Sequence, residues 1–169
     1  MAWRLLCALF LVVLTGCAAT TRPIIQRIPF PVEEYAILPI KGTAIVKGQA
    51  FLKTRGGDVK TAAGNEVLLN PVTSYSNQWY EQHYLRGNNL DPGEADKRLR
   101  NYIQKTTADA EGRFIFKDVP KGNYYLTTTV IWEAPTGYGG SLMPQGGLVV
   151  KEISINDGEE LNIILTQPY

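Results

Sequence analysis

From Gly42 onward the chain breaks into short runs rich in Val, Ile, Thr and aromatic residues. Each run is closed by Gly, Pro, Asn or Asp, and this punctuation favours strands over long helices. Thr43–Leu52 reads as a first strand, with Gly48 expected as a bulge inside it. Arg55-Gly56-Gly57-Asp58 is a turn, and a second strand runs from Asn65 or Glu66 to Leu69, ended by Asn70-Pro71. Phe114 and Phe116 alternate with polar neighbours. They are followed by a turn at Val119-Pro120-Lys121-Gly122-Asn123 and a strand over Tyr124–Glu133. Gly147–Ile155 and Glu160–Leu165 flank Asn156-Asp157-Gly158, which predicts a hairpin between them. About seven short strands separated by turns predict a mainly β protein, an antiparallel sandwich.

Between about 72 and 105 the periodicity changes from two to that of a helix. Asp91-Pro92-Gly93-Glu94 has a capping acceptor, a proline at the first helical position and a glutamate in the first turn. Ala95, Leu99, Tyr102 and Ile103 follow as an apolar stripe, with Glu94–Arg98 and Asp96–Arg100 as i,i+4 pairs. Ser76–Arg86 predicts a second short helix, closed by Gly87. The domain is therefore expected to carry a helical insertion.

The N-terminal segment reads as an address. Arg4 precedes an apolar run from Leu5 to Leu14, too short to span a bilayer. Leu14-Thr15-Gly16-Cys17 resembles the lipobox of bacterial lipoproteins, which implies cleavage after residue 16, a diacylglyceryl and palmitoyl anchor on Cys17, and residence at a membrane. Ala18, in place of an aspartate, favours the periplasmic side of the outer membrane in a Gram-negative source. With Cys7 in the segment to be removed and Cys17 alkylated, no thiol is left for a disulfide or a metal. Prolines 23, 29, 31 and 39 predict an extended tether over residues 17–41, reaching on the order of 60 Å, with Tyr35–Leu38 as a candidate edge strand. The expected organisation is thus 1–16 signal peptide, 17–41 lipidated tether and 42–169 folded domain.

The Thr107–Leu126 run carries the pattern T-x-D-x-x-G-x-F-x-F-x-x-V-P-x-G-x-Y-x-L. It is preceded by Gly42-Thr43-Ala44, Lys47–Ala50 and Val67–Pro71, and together these segments resemble the carboxypeptidase regulatory-like domain family. The resemblance implies a prealbumin-like (transthyretin-like) β-sandwich and a non-catalytic accessory role. Within the motif, Asp109 is expected to accept backbone N–H groups, Gly112 to supply a positive φ, and Tyr124 to pin a sandwich corner through its hydroxyl. The outer-membrane lipoprotein of type VI secretion shares lipidation and such a sandwich, an analogy at the level of fold alone.

Composition and motifs narrow the function. Of 17 Lys and Arg and 16 Asp and Glu, Arg4 alone lies in residues 1–16, so the remainder is balanced and offers no basic surface for nucleic acid. The single histidine, His83, and the lack of a nucleophile elbow, a phosphate loop or a dinucleotide fingerprint argue against an enzyme and against a cofactor. Hydroxyisourate hydrolases share the prealbumin-like fold but need several histidines and a particular C-terminal tetrapeptide; this chain ends Thr166-Gln167-Pro168-Tyr169. Asp109, Glu111 and Asp118 lack the dense spacing of a calcium loop. Tyr75, Trp79, Tyr80, His83 and Tyr84 are the strongest binding candidates, because 79, 80, 83 and 84 share one helix face. Such a face either closes one end of the sandwich or forms a contact surface. Tyr138, in the glycine-rich stretch 132–141, is a second candidate. The primary expectation is docking of another envelope or secretion component; the alternative is binding of a glycan or peptidoglycan by the same aromatics.

Overall fold

The computed structural model describes residues 21–135, 137 and 139–167; the expected signal peptide, Cys17 and Tyr138 lie outside them. The described strands are β1 (Ile24–Gln26), β2 (Ala44–Lys53), β3 (Val59–Thr61), β4 (Glu66–Pro71), β5 (Asn89–Asp91), β6 (Gln104–Thr107), β7 (Arg113–Val119), β8 (Gly122–Pro135), β9 (Leu142–Ile155) and β10 (Glu160–Leu165). One four-stranded sheet is built around β2, which pairs with β3, β7 and β10; the other runs β6-β4-β8-β9. The two bury one core between them, giving the mainly β sandwich that the alternation predicts. In β2 the residues Ala44, Val46, Ala50 and Leu52 are buried, whereas Lys47 and Lys53 are exposed. Val67 and Leu69 of β4 and Leu126 and Val130 of β8 meet them from the opposite sheet. Each fully buried Val or Leu contributes about 1.5–3 kcal/mol, which makes this layer the main source of stability.

The turn motif around Asp109 has the expected geometry. Asp109 Oδ1 accepts the Glu111 and Arg113 N–H groups at 3.0 and 2.8 Å. Gly112 has φ 76°, and a Cβ there would lie 2.5 Å from the Ala50 carbonyl oxygen. Phe114 and Phe116 both enter the core. The Tyr124 hydroxyl donates to the Pro120 carbonyl at 2.9 Å, closing the corner at the start of β8.

Several local expectations are corrected. Asn156-Asp157-Gly158 does not turn a hairpin: β9 ends in one sheet and β10 begins in the other, parallel to β2. The Gly158 N–H donates to Thr43 Oγ1 at 2.8 Å, so the turn is tied to the receiving sheet. The long hairpin is β8–β9 instead, in register from Gly122 opposite Ile155 to Pro135 opposite Leu142. The parallel pairs β1–β5 and β2–β10 also depart from a wholly antiparallel sandwich. No bulge forms at Gly48; the register shift in β2 falls between Ala44 and Val46. Gly48 is needed because β10 passes so near that a Cβ would sit 2.1 Å from the Ile163 carbonyl oxygen.

Residues 23–38 do not run free as a tether. They form β1 and the short helix α1 (Val32–Ala36), and Tyr35, expected in an edge strand, is completely buried on that helix. Burial raises the phenols of Tyr35 and Tyr124 from near 10 to about 12, and burial with the nearby Glu152 carboxylate does the same to Tyr125. The unfolded chain ionises these groups first, so their contribution is intact below pH 10 and is lost as pH rises towards 12. Urea midpoints are expected to stay level from neutral pH to about 9 and then to fall. Tyr35→Phe and Tyr124→Phe are expected to flatten that fall.

Candidate functional site

The insertion and the N-terminal segment together cover part of the outer face of the β6-β4-β8-β9 sheet, over Leu68, Asn70, Tyr125 and Thr127. Their own small core consists of Tyr35, Tyr75 and Leu99, with Ile28, Phe30, Leu38, Tyr102 and Ile103 around them. Phe30 stacks on Tyr35 at 4.5 Å, and the Arg98 guanidinium lies 4.5 Å over the Phe30 ring. Helix α2 (Ser74–Gln78) starts from a capping box, in which Thr73 Oγ1 accepts the Ser76 N–H and Ser76 Oγ accepts the Thr73 N–H. Thr73 also donates to the Tyr35 hydroxyl at 2.8 Å, and Glu34 of α1 accepts both the N–H and the hydroxyl of Ser74. Gln78 bridges back to residues 26 and 28, donating to the Gln26 carbonyl and accepting the Ile28 N–H. Deleting the apolar side chains of residues 28–38 would therefore uncover the insertion.

The helix predicted from Asp91 does not form at that point. Asp91 is held in β5, where its carbonyl accepts the Arg27 N–H at 2.7 Å. The helical turn begins only at Lys97, as a 3₁₀ helix over Lys97–Asn101 whose cap is Asp96. Of the predicted stripe, Leu99 is buried, Tyr102 and Ile103 are half-buried, and Ala95 is exposed.

Downstream of α2 the chain widens into a π-helix over Trp79–Leu85, closed at Gly87 with φ 69°. The wider coil brings i and i+5 side chains together. Trp79 stacks on Tyr84 at 6.3 Å, Tyr84 on Tyr80 at 5.5 Å, and Tyr80 on Tyr125 of β8 at 4.5 Å. Gln167 donates to the Tyr84 hydroxyl at 2.9 Å, and the Tyr125 hydroxyl donates to Asn77 at 2.6 Å. The candidate residues thus separate. Tyr75 is core, its hydroxyl accepting the Asp96 N–H. Tyr80 and Tyr84 anchor the helix to the sheet. His83 is exposed, its Nδ1 bonded to the Asn88 carbonyl at 3.2 Å. Trp79 remains half-buried at the mouth of a cleft.

That cleft, of about 260 Å³, lies between the insertion and the sheet. Leu68, Asn70 and Thr127 form its floor, Tyr75 and Trp79 one wall, Leu99 and Ile103 another, and Arg27 its end. Asn70 Oδ1 is buried there with no hydrogen-bond partner. An unsatisfied buried amide oxygen costs about 1–3 kcal/mol, a cost that a donor entering from the cleft, a water or a ligand hydroxyl, would relieve. A broader depression on the outer face of the β2 sheet, lined by Lys47, Gln49, Asp109, Arg113 and Asn162, is more open and more polar. Sequence reasoning found Trp79 and missed Asn70, read as the end of a strand, and Arg27, assigned to the tether. Asn70 carried a signal in its position, since it occupies the phase of β4 that faces away from the sandwich core.

A crystal structure of a Pseudomonas aeruginosa protein described as a "putative carbohydrate binding protein" matches this chain with a TM-score of 0.72. The two are 28% identical over 82% of this chain and 97% of that one. The major pilin subunit of Bacillus cereus matches with a TM-score of 0.40 and 13% identity, over 75% of this chain and 30% of the pilin. No protein-family model and no curated protein matches the chain.

Proposed function

We propose that this chain is a non-catalytic carbohydrate-binding module, tethered to its membrane through a lipidated Cys17, and that the cleft beside Trp79 takes a sugar ring. The observation that carries the reading is one cleft lined both by the Asn70 amide, whose oxygen has no partner among the described residues, and by the aromatic rings of Tyr75 and Trp79. A pyranose has apolar faces and hydroxyl edges, and it asks for that combination: a flat ring to stack on and a few fixed polar groups to orient it. At about 260 Å³ the cleft falls short of the roughly 300–1,000 Å³ typical of sites for drug-sized ligands. It therefore suits one ring of a longer chain, whose neighbours would lie along the exposed edge towards His83. The similar solved structure described as a carbohydrate binding protein supports the same reading. In a Gram-negative source the module would face the periplasm from the outer membrane, where peptidoglycan is the nearest polymer. The lipid anchor supplies about 0.8 kcal/mol per buried methylene and leaves the domain free to bind.

The test is equilibrium binding of the full-length protein in detergent to purified sacculi and to soluble oligosaccharides, followed by sedimentation and calorimetry. Saturable binding that soluble sugar competes away is the expected result. A protein that binds no carbohydrate, yet crosslinks in cells to a single envelope protein through position 79 or 84, would overturn the reading. It would establish the docking role instead.

A further inference from the structure

We infer that the sugar taken by this cleft carries a carboxylate, and that Arg27 receives it; the inference rests on the carbohydrate reading above. Arg27 is 9% exposed at the end of the cleft, just after β1. Its Nε donates to the Pro92 carbonyl at 2.9 Å and its Nη2 to the Gly93 carbonyl at 3.0 Å, while its guanidinium carbon sits 5.5 Å from the Tyr75 ring centroid. Those bonds fix the plane of the guanidinium and leave the remaining N–H groups of its five-donor fork without a partner among the described residues. Among the described residues none of the ion pairs includes Arg27.

A guanidinium held out of water without a counter-charge is costly, and a bound anion relieves that cost. The acids flanking Pro92 and Gly93 do not supply one: Asp96 is paired with Arg98, and Asp91 and Glu94 are exposed and form no ion pair with Arg27 among the described residues. Among the described residues Arg27 is also the only charged side chain lining the cleft, whose other polar groups are the Asn70 amide and the Ser76 and Thr127 hydroxyls beside the aromatic wall. One fixed, planar cation pairs with a carboxylate through two parallel N–H···O bonds, and its single charge balances that of a monoanion. A uronic acid residue combines all the required parts. Its ring face would lie against Trp79, its hydroxyl edge would donate to Asn70 Oδ1, and its carboxylate would meet Arg27.

The test compares, by calorimetry on the full-length protein, oligogalacturonate, oligoglucuronate and oligomannuronate, each with its carboxyl-reduced neutral counterpart. The acidic member of at least one pair is expected to bind about tenfold or more tightly than its neutral twin, the size of a charge-assisted hydrogen bond. Added salt should shrink that advantage, and Arg27→Gln should abolish it while binding of the neutral form persists. Equal binding of both members of every pair overturns the carboxylate inference and leaves the carbohydrate reading standing. Binding of neither overturns the inference, and sacculi that also fail to bind overturn the reading beneath it. Should Arg27→Gln fold poorly, the paired comparison on the unaltered protein still decides.

Discussion

Gly48→Ala is expected to destabilise the domain by about 3 kcal/mol, a loss at the upper end of the usual cost of overpacking. Gly48 lies in the middle of β2, opposite Phe114 of β7 and Ile163 of β10. A methyl group there would sit 2.1 Å from the Ile163 carbonyl oxygen and 2.8 Å from Phe114 Cζ. Backbone cannot rotate out of the way as a side chain does, so either β10 moves off β2 or β2 bends into the core. Because β10 arrives by crossing from the other sheet, its pairing with β2 is what holds the last strand in place. For a domain of this size the melting temperature should fall by about 6–12 °C. Gly56→Ala is the control: its nearest neighbour would be Thr54 Oγ1 at 3.8 Å, and it should stay within about 0.5 kcal/mol of the parent. A Gly48→Ala protein that melts with the parent would mean that β10 does not pack where it is described.

Gly48 also marks the limit of what sequence could reveal. The strands were legible because alternation is a local property: Phe114 and Phe116 point inward wherever their strand is placed. The Asp109–Gly112 turn and the Tyr124 corner were legible for the same reason, since donor, acceptor and glycine all lie within a few residues. Partner choice is not local. Asn156-Asp157-Gly158 specifies a reversal of direction but not which sheet receives the next strand, and the open edge of β2 decided that. The proline-rich segment misled in another way. Prolines 29 and 31 do exclude a long helix, but Ile28, Phe30, Tyr35 and Leu38 carry enough apolar surface to hold the segment on the insertion. In the site, helical spacing grouped Trp79, Tyr80, His83 and Tyr84 correctly. It could not tell that Tyr80 and Tyr84 hold the helix down while Trp79 borders a cleft, because that division depends on Tyr125 and Gln167, far along the chain.

The sharpest test of the cleft sets stability against function at one position: Asn70→Leu is expected to leave the protein as stable as the parent or more stable, and to weaken sugar binding. Asn70 Oδ1 is buried without a partner, so the unliganded protein carries the desolvation cost of that oxygen, about 1–3 kcal/mol. A leucine of similar length removes it and packs beside Leu68, Leu99 and Ile103, which line the same space. The affinity should nevertheless fall at least about tenfold, because the acceptor that orients the sugar is gone and its hydroxyl is left buried and unpaired. Trp79→Ala should weaken binding by about thirtyfold, as an interfacial aromatic worth about 2 kcal/mol does. Its melting temperature should fall by only a few degrees, because Trp79 is half-buried and Tyr80 and Tyr84 still stack between the helix and Tyr125. The two variants together separate the readings. If Trp79 served only to close the sandwich, its loss would lower stability and leave affinity unchanged. If the Asn70 amide were structural, Asn70→Leu would melt early and bind as the parent does. Binding lost at both positions while Asn70→Leu keeps or gains stability is the pattern of a ligand site in this cleft, where the amide serves binding at the expense of stability.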